Sequence, residues 1–201
     1  MSVEISFIES LPLTIQITEG LTIEDVCFQC CRWLQISPLA RHLFGLQIYE
    51  SNYYVSPSDV LKHKHTVEKF NFRCRFWPSA ENLSKIGTKA LNYLFAQVKT
   101  DFVQGKIPAF NTKSSEALGL GVTAMYCYMQ DHGAEINFVL NNYMKFLPKV
   151  VCKNCHLSVT QKPLKKKLKH VVDNPPELWL CKKEFLRTVI GTSFFRNICL
   201  C

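Results

Sequence analysis

The sequence predicts an α+β fold in which a small mixed lobe is followed by an all-helical one. Three observations predict it. Strand-like alternation and one capped helix fall within residues 1–77. Residues 78–90 (PSAENLSKIGTKA) have the composition of a linker. From residue 91 onward, apolar residues recur at helical spacing.

Leu13, Ile15 and Ile17 alternate with Thr14 and Gln16, as in a half-buried strand. Thr22 with Asp25 at the third helical position is a near capping box. Ile23, Val26, Cys27, Cys30 and Leu34 then predict a helix to residue 33 or 34. Pro38 opens a turn, and residues 43–49 read as a second strand. Residues 52–55 form a short extended piece, broken at Pro57. Phe70, Phe72, Cys74 and Phe76 are expected on one face of a third strand, with Arg73 and Arg75 on the other. Strand, capped helix and further strands in this order suggest a ubiquitin-like grasp.

The helical part opens on residues 91–107, LNYLFAQVKTDFVQGKI. Leu91, Leu94, Phe95, Val98 and Phe102 form a stripe wide enough to face a core, and Gln97, Lys99 and Gln104 fall outside it. Gly105, with Pro108 beyond it, is the stop. Ser114 or Ser115 caps a helix to about residue 131, in which Gly119 and Gly121 each cost about 1 kcal/mol relative to Ala. Close helix packing would account for them. His132 and Gly133 end that helix, and residues 136–147 form a short helical piece. Pro163 is expected in the first turn of a helix holding Leu164, Leu168, Val171 and Val172. The apolar and basic tail, residues 174–201, receives no assignment.

A hydrophobic fraction of 47% with 20% charged residues is that of a globular chain. There is no apolar run long enough to cross a bilayer. MSVEISFIES carries acids where an export signal carries bases, so the ten cysteines are expected to be reduced cytosolic thiols. The net charge of +8 is concentrated in residues 152–201, where ten Lys or Arg face three Asp or Glu.

Cys152, Cys155 and His156 have zinc-ligand spacing that Cys181, Cys199 and Cys201 would have to complete. The second half is a C-x-C pair, so plain thiols and no metal are expected, and no cofactor. Cys27, Cys30 and Cys31 have core spacing on a helix, and His63 and His65 lie in a polar, lysine-containing turn. Lys162, Lys165, Lys166, Lys167 and Lys169 make the strongest electrostatic feature. Such a cluster suits an acidic protein, anionic lipid or nucleic acid, but nucleic acid would call for exposed aromatics or a known module and is not expected. Phosphate-loop, dinucleotide, zinc-protease and serine-hydrolase motifs are absent, as are the kinase catalytic-loop and D-F-G signatures, so no catalysis is expected of this chain.

Several segments resemble the FERM region of Janus kinases, in the family's order. They are residues 36–46 (ISPLARHLFGL), 72–78 (FRCRFWP), the helix containing Tyr93, Leu94, Phe95, Ala96, Gln97, Asp101, Phe102 and Val103, and 116–122 (EALGLGV). Residues 143–148 (YMKFLP) match more weakly, and the resemblance fades after Asn174. It implies a ubiquitin-like first lobe at residues 1–77 and an acyl-CoA-binding-protein-like helical lobe at 91–173. It also implies docking onto the membrane-proximal segment of a cytokine receptor tail, in the cytoplasm at the inner face of a membrane. The family's basic groove helix corresponds to residues 161–172. The resemblance therefore makes Leu164, Lys165, Lys166, Lys167, Leu168, Lys169 and Val171 the expected receptor-binding residues, with Met125 on a facing helix. The third lobe, the SH2-like domain and both kinase domains have no counterpart here, which suggests a fragment, a truncated product or a divergent relative. The alternative function is a general FERM adaptor that binds anionic lipid through the lysine-rich helix.

Overall fold

Ser2–Ser6 forms strand β1 and takes a central place in the sheet. Val3 and Ile5 are buried while Ser2 and Glu4 face solvent. In the computed structural model, which describes residues 2–61, 69–112, 114–154 and 157–191, β1 pairs antiparallel with β2 (Leu13–Gln16), Val3 opposite Ile15. It pairs in parallel with β4 (Phe70–Cys74), Ile5 opposite Phe70. β4 in turn runs antiparallel to β3 (Phe44–Ile48), with Leu46 opposite Phe72, so the sheet order is β2-β1-β4-β3. Helix α1 (Ile23–Trp33) packs against β3. A helix on a four-stranded mixed sheet with a parallel central pair is the ubiquitin-like grasp.

The start of α1 shows why the helix begins where it does. Asp25 N–H donates to Thr22 Oγ1 (3.1 Å) and Thr22 N–H donates to Asp25 Oδ2 (3.0 Å), so the capping box is complete with Asp in the usual Glu position. The Thr22 side chain holds the Asp25 carboxyl below its ordinary pKa. The N–H groups of Ile23 and Glu24 find acceptors in the carbonyls of Asp59 and Pro57. Val26, Cys30, Leu46, Phe70 and Phe72 fill the core beneath, at about 1.5–3 kcal/mol for each large side chain fully buried. Two strand expectations change. A 3-10 turn, Pro38–Leu43, takes the first residue of the strand expected at 43–49. β4 stops at Cys74, so the alternation lapses and Phe76 is exposed instead of sharing the inner face. His63 and His65 lie outside the described residues.

The chain divides into two units, Met1–Gln97 and Val98–Cys201. Helix α2 (Thr88–Val103) contributes to both. Its residues Tyr93, Leu94, Phe95, Ala96, Gln97 and Val98 are all buried, which a single apolar stripe does not predict. Gln97 in particular is inside, because its Oε1 accepts the Cys74 N–H at the end of β4 (2.8 Å). Tyr93 hydroxyl donates to the Phe72 carbonyl (2.6 Å). Each bond satisfies a backbone group that burial would otherwise orphan. The helix ends as expected: Gly105 takes φ +74°, and Lys106 N–H closes back on Asp101 O (2.9 Å).

The second unit continues through α3 (Ala109–Thr112), α4 (Ser114–His132), α5 (Ile136–Asn141), a 3-10 turn (Tyr143–Phe146), α6 (Lys149–Asn154), α7 (Leu157–Asp173) and α8 (Leu178–Ile190). Both α7 and α8 pack on α4. Gly121 earns its place in α4: a Cβ there would lie 2.4 Å from Leu147 Cδ2 and 3.2 Å from the Phe146 carbonyl. Gly119 has open space beside it and no such role. Helix α7 starts before Pro163, so the proline lies in its interior and not in its first turn, where it gives up one backbone hydrogen bond and its ring crowds the carbonyl four residues earlier. The unassigned tail contains α8, whose Phe185, Leu186 and Val189 are buried. Lys182 sits in the same stripe and hides its apolar period from the sequence.

Burial pushes the thiols of Cys27, Cys31 and Cys127 up to about 12, and that of Cys30 also upward. Alkylation needs the thiolate. Among the described cysteines, iodoacetamide at pH 8 should therefore label the half-buried Cys152 and Cys181 first and leave Cys27, Cys30, Cys31 and Cys127 unmodified until denaturant is added, as read by peptide mass mapping. Rapid native labelling of Cys127 would contradict the packing of α4.

Candidate docking surface

Helix α7 has one buried line and a coat of lysine. Leu164 and Leu168, one turn apart, are fully buried, and Val171 is half-buried. Lys162, Lys165, Lys166, Lys167 and Lys169 are all exposed, together with Gln161 and His170. The reason is the spacing: two leucines four residues apart occupy one narrow arc, and the lysines take the rest of the circumference. Met125 is fully buried in α4, the helix on which α7 packs.

The expected site thus divides in two. Its apolar members Met125, Leu164 and Leu168 face the lobe's own interior, because α7 packs on α4 and the buried sides of these helices form its core. Its lysines, Lys165, Lys166, Lys167 and Lys169, lie together on the surface. Lys162 with Lys166, and Lys165 with Lys169, are like charges at i, i+4, each costing a few tenths of a kcal/mol. None of these lysines has a carboxylate partner among the described residues, so the positive charge is left to solvent or to a ligand.

A buried lysine, not among the residues expected to matter, holds α8 to α4. Lys182, buried on α8, donates to Asp131 Oδ1 (2.9 Å) and lies as close to Oδ2. Tyr126 hydroxyl donates to the Pro176 carbonyl (2.8 Å), anchoring the approach to α8. The phenyl ring of Phe185 meets Phe102 edge-on at 5.8 Å. A lysine recurring at helical spacing with Phe185, Leu186 and Val189 was the available signal.

Among the described residues no group of His, Cys, Asp and Glu is placed to hold a metal ion. Cys155, His156, Cys199 and Cys201 lie outside them. Among the same residues no helix is long and apolar enough to cross a membrane.

A ubiquitin-like lobe followed by a helical lobe with a basic outer helix defines a class of docking domains. The family model for the FERM F1 ubiquitin-like domain matches residues 9–82, and that for the FERM F2 acyl-CoA binding protein-like domain matches residues 84–178. The chain belongs to the FERM family. In sequence it is similar to the tyrosine-protein kinase JAK1 of Danio rerio, 23% identical over 167 residues that cover 63% of this chain and 14% of that protein. It therefore spans about a seventh of the length of this relative. Its fold is similar to the MyTH4-FERM MF2 domain of Dictyostelium discoideum myosin VII, with a TM-score of 0.73, 13% identity, and 94% of this chain and 41% of that one covered. The Drosophila Merlin structure, a complex of its FERM and C-terminal domains, gives a TM-score of 0.69 at 20% identity, covering 95% of this chain and 65% of that one. Helix α8 lies almost wholly beyond the matched F2 segment.

Proposed function

We propose that this chain is a FERM docking module of the Janus kinase kind, which holds the membrane-proximal segment of a cytokine receptor tail in the cytoplasm, at the inner face of the membrane. It performs no phosphoryl transfer of its own; the family's kinase signatures have no counterpart in its sequence. The observation that supports the reading is the uncompensated lysine coat of α7, on the helix where the Janus kinase resemblance puts the receptor groove. Because Leu164 and Leu168 belong to the core, Lys165, Lys166, Lys167 and Lys169 make the contact, Val171 supplies apolar surface at its edge, and Met125 supports α7 from within.

Lysines that surround a helix on several sides also suit a flat anionic bilayer, and this favours the adaptor as a second reading. One experiment separates them. Replacing Lys165, Lys166 and Lys167 together by Gln is expected to weaken receptor-peptide binding about tenfold, mainly through slower association and a shallower salt dependence. For vesicles containing phosphatidylserine, at about 1 kcal/mol per lysine, the same variant would lose roughly a hundredfold. Peptide capture by the native chain, measured by pull-down and surface resonance, supports receptor docking. Vesicle binding without capture of any receptor-tail peptide rejects it in favour of the adaptor.

A further inference from the structure

Strand β2 is an edge of the ubiquitin-like sheet. It pairs with β1 on one side, and on the other its N–H and C=O groups have no backbone partner among the described residues. An open edge is a template for another strand, and proteins commonly blunt it with charge. Here residues 10–18 (SLPLTIQIT) carry none. Leu11, just before the strand, is 79% exposed. Leu13 and Ile17 are only half-buried on either side of the buried Ile15, while Thr14 and Gln16 are exposed. The apolar row along this edge is therefore covered by the lobe's own core only in part.

We propose that a second copy of this chain completes the edge, its β2 pairing antiparallel with this one about a two-fold axis at Ile15. In that register Leu13 meets the partner's Ile17, Thr14 meets the partner's Gln16, and Ile15 meets the partner's Ile15. Apolar side chains then face apolar ones on one side of the joined sheet, and uncharged polar ones face each other on the other side. The neighbouring registers fail. A shift of one residue sets polar positions against the apolar row. A shift of two brings Glu19 against the partner's Leu13 in one direction and against the partner's Glu9 in the other. An uncharged edge offers no complement to a charged segment, whereas its own sequence matches it position by position. The contact is isologous, so it closes at two copies, and being short it makes a weak dimer.

The test is sedimentation velocity of the full chain over a rising concentration series, where a reversible monomer–dimer equilibrium is expected. Thr14 and Gln16 are exposed, so changes there should leave the circular dichroism and the melt as they are. Thr14→Lys combined with Gln16→Lys sets lysine opposite lysine twice and should weaken the dimer about tenfold. Thr14→Lys combined with Gln16→Glu makes two opposite-charge pairs in the same register and should tighten it severalfold. Equal loss in the two variants would overturn the register and with it the proposal. A dimer that neither variant changes would do the same, because its contact would lie elsewhere on the chain. So would a monomer at the highest soluble concentration. A chain that stays monomeric yet binds a fluorescent peptide of residues 10–18 would give the edge to a foreign strand and overturn it too.

Discussion

Leu168→Asp is expected to unfold the helical lobe rather than to weaken a partner's grip. Leu168 is fully buried in α7, and Leu164 beside it is buried as well. Truncating a buried leucine to alanine costs about 2–5 kcal/mol. A carboxylate in the same place adds the cost of a desolvated charge, or must take up a proton to avoid it. A domain of this kind has about 5–15 kcal/mol in total, so one such change removes a large part of its stability. Circular dichroism should show loss of helix and of the cooperative melt. Leu168→Met keeps the volume and should cost less than about 1.5 kcal/mol. Lys167→Asp, at the exposed neighbouring position, should leave the melt nearly unchanged. A folded Leu168→Asp chain with native stability would mean that α7 does not pack as described.

Asp131→Ala should cost about 3 kcal/mol, because it takes away the carboxylate that neutralises the buried ammonium of Lys182. The Asp131 side chain keeps about a third of its exposure, which holds the loss toward the lower end of the range for buried pairs. Lys182→Met should behave differently. It replaces the desolvated cation by an apolar chain of similar length, leaves Asp131 in reach of water, and should change stability by less than about 1 kcal/mol. Denaturant midpoints at constant slope give both values. Equal, large losses in the two variants would mean that the ion pair itself, and not the removal of charge compensation, stabilises α8. No loss in Asp131→Ala would detach α8 from α4.

Local rules carried much of the first lobe. The Thr22 cap, the period of Ile23, Val26, Cys27 and Cys30, and the alternation of Phe70, Phe72 and Cys74 are short-range patterns that name their own element. β1 escaped because its signal is only two apolar residues in five, and its partners are remote: Ile5 meets Phe70 across the sheet. The same limit hid Gln97, polar by composition yet buried because β4 ends on an N–H that needs an acceptor. In α7 the lysines are exposed and the leucines buried. The sequence could not tell an apolar line that greets a partner from one that greets the lobe, since Leu164 and Leu168 have the same spacing in either case.

Composition and periodicity alone determined that this protein has a mixed lobe and a helical lobe, and that its positive charge gathers in the last quarter. They could do so because amphipathic period and capping are properties of neighbouring residues. Which side of α7 is core, why Gly121 has no side chain, and how α8 is fastened by Lys182 and Asp131 were decided only by tertiary structure. Each of these depends on an atom that a residue far along the chain brings within a few ångströms, and nothing in the local pattern encodes that distance.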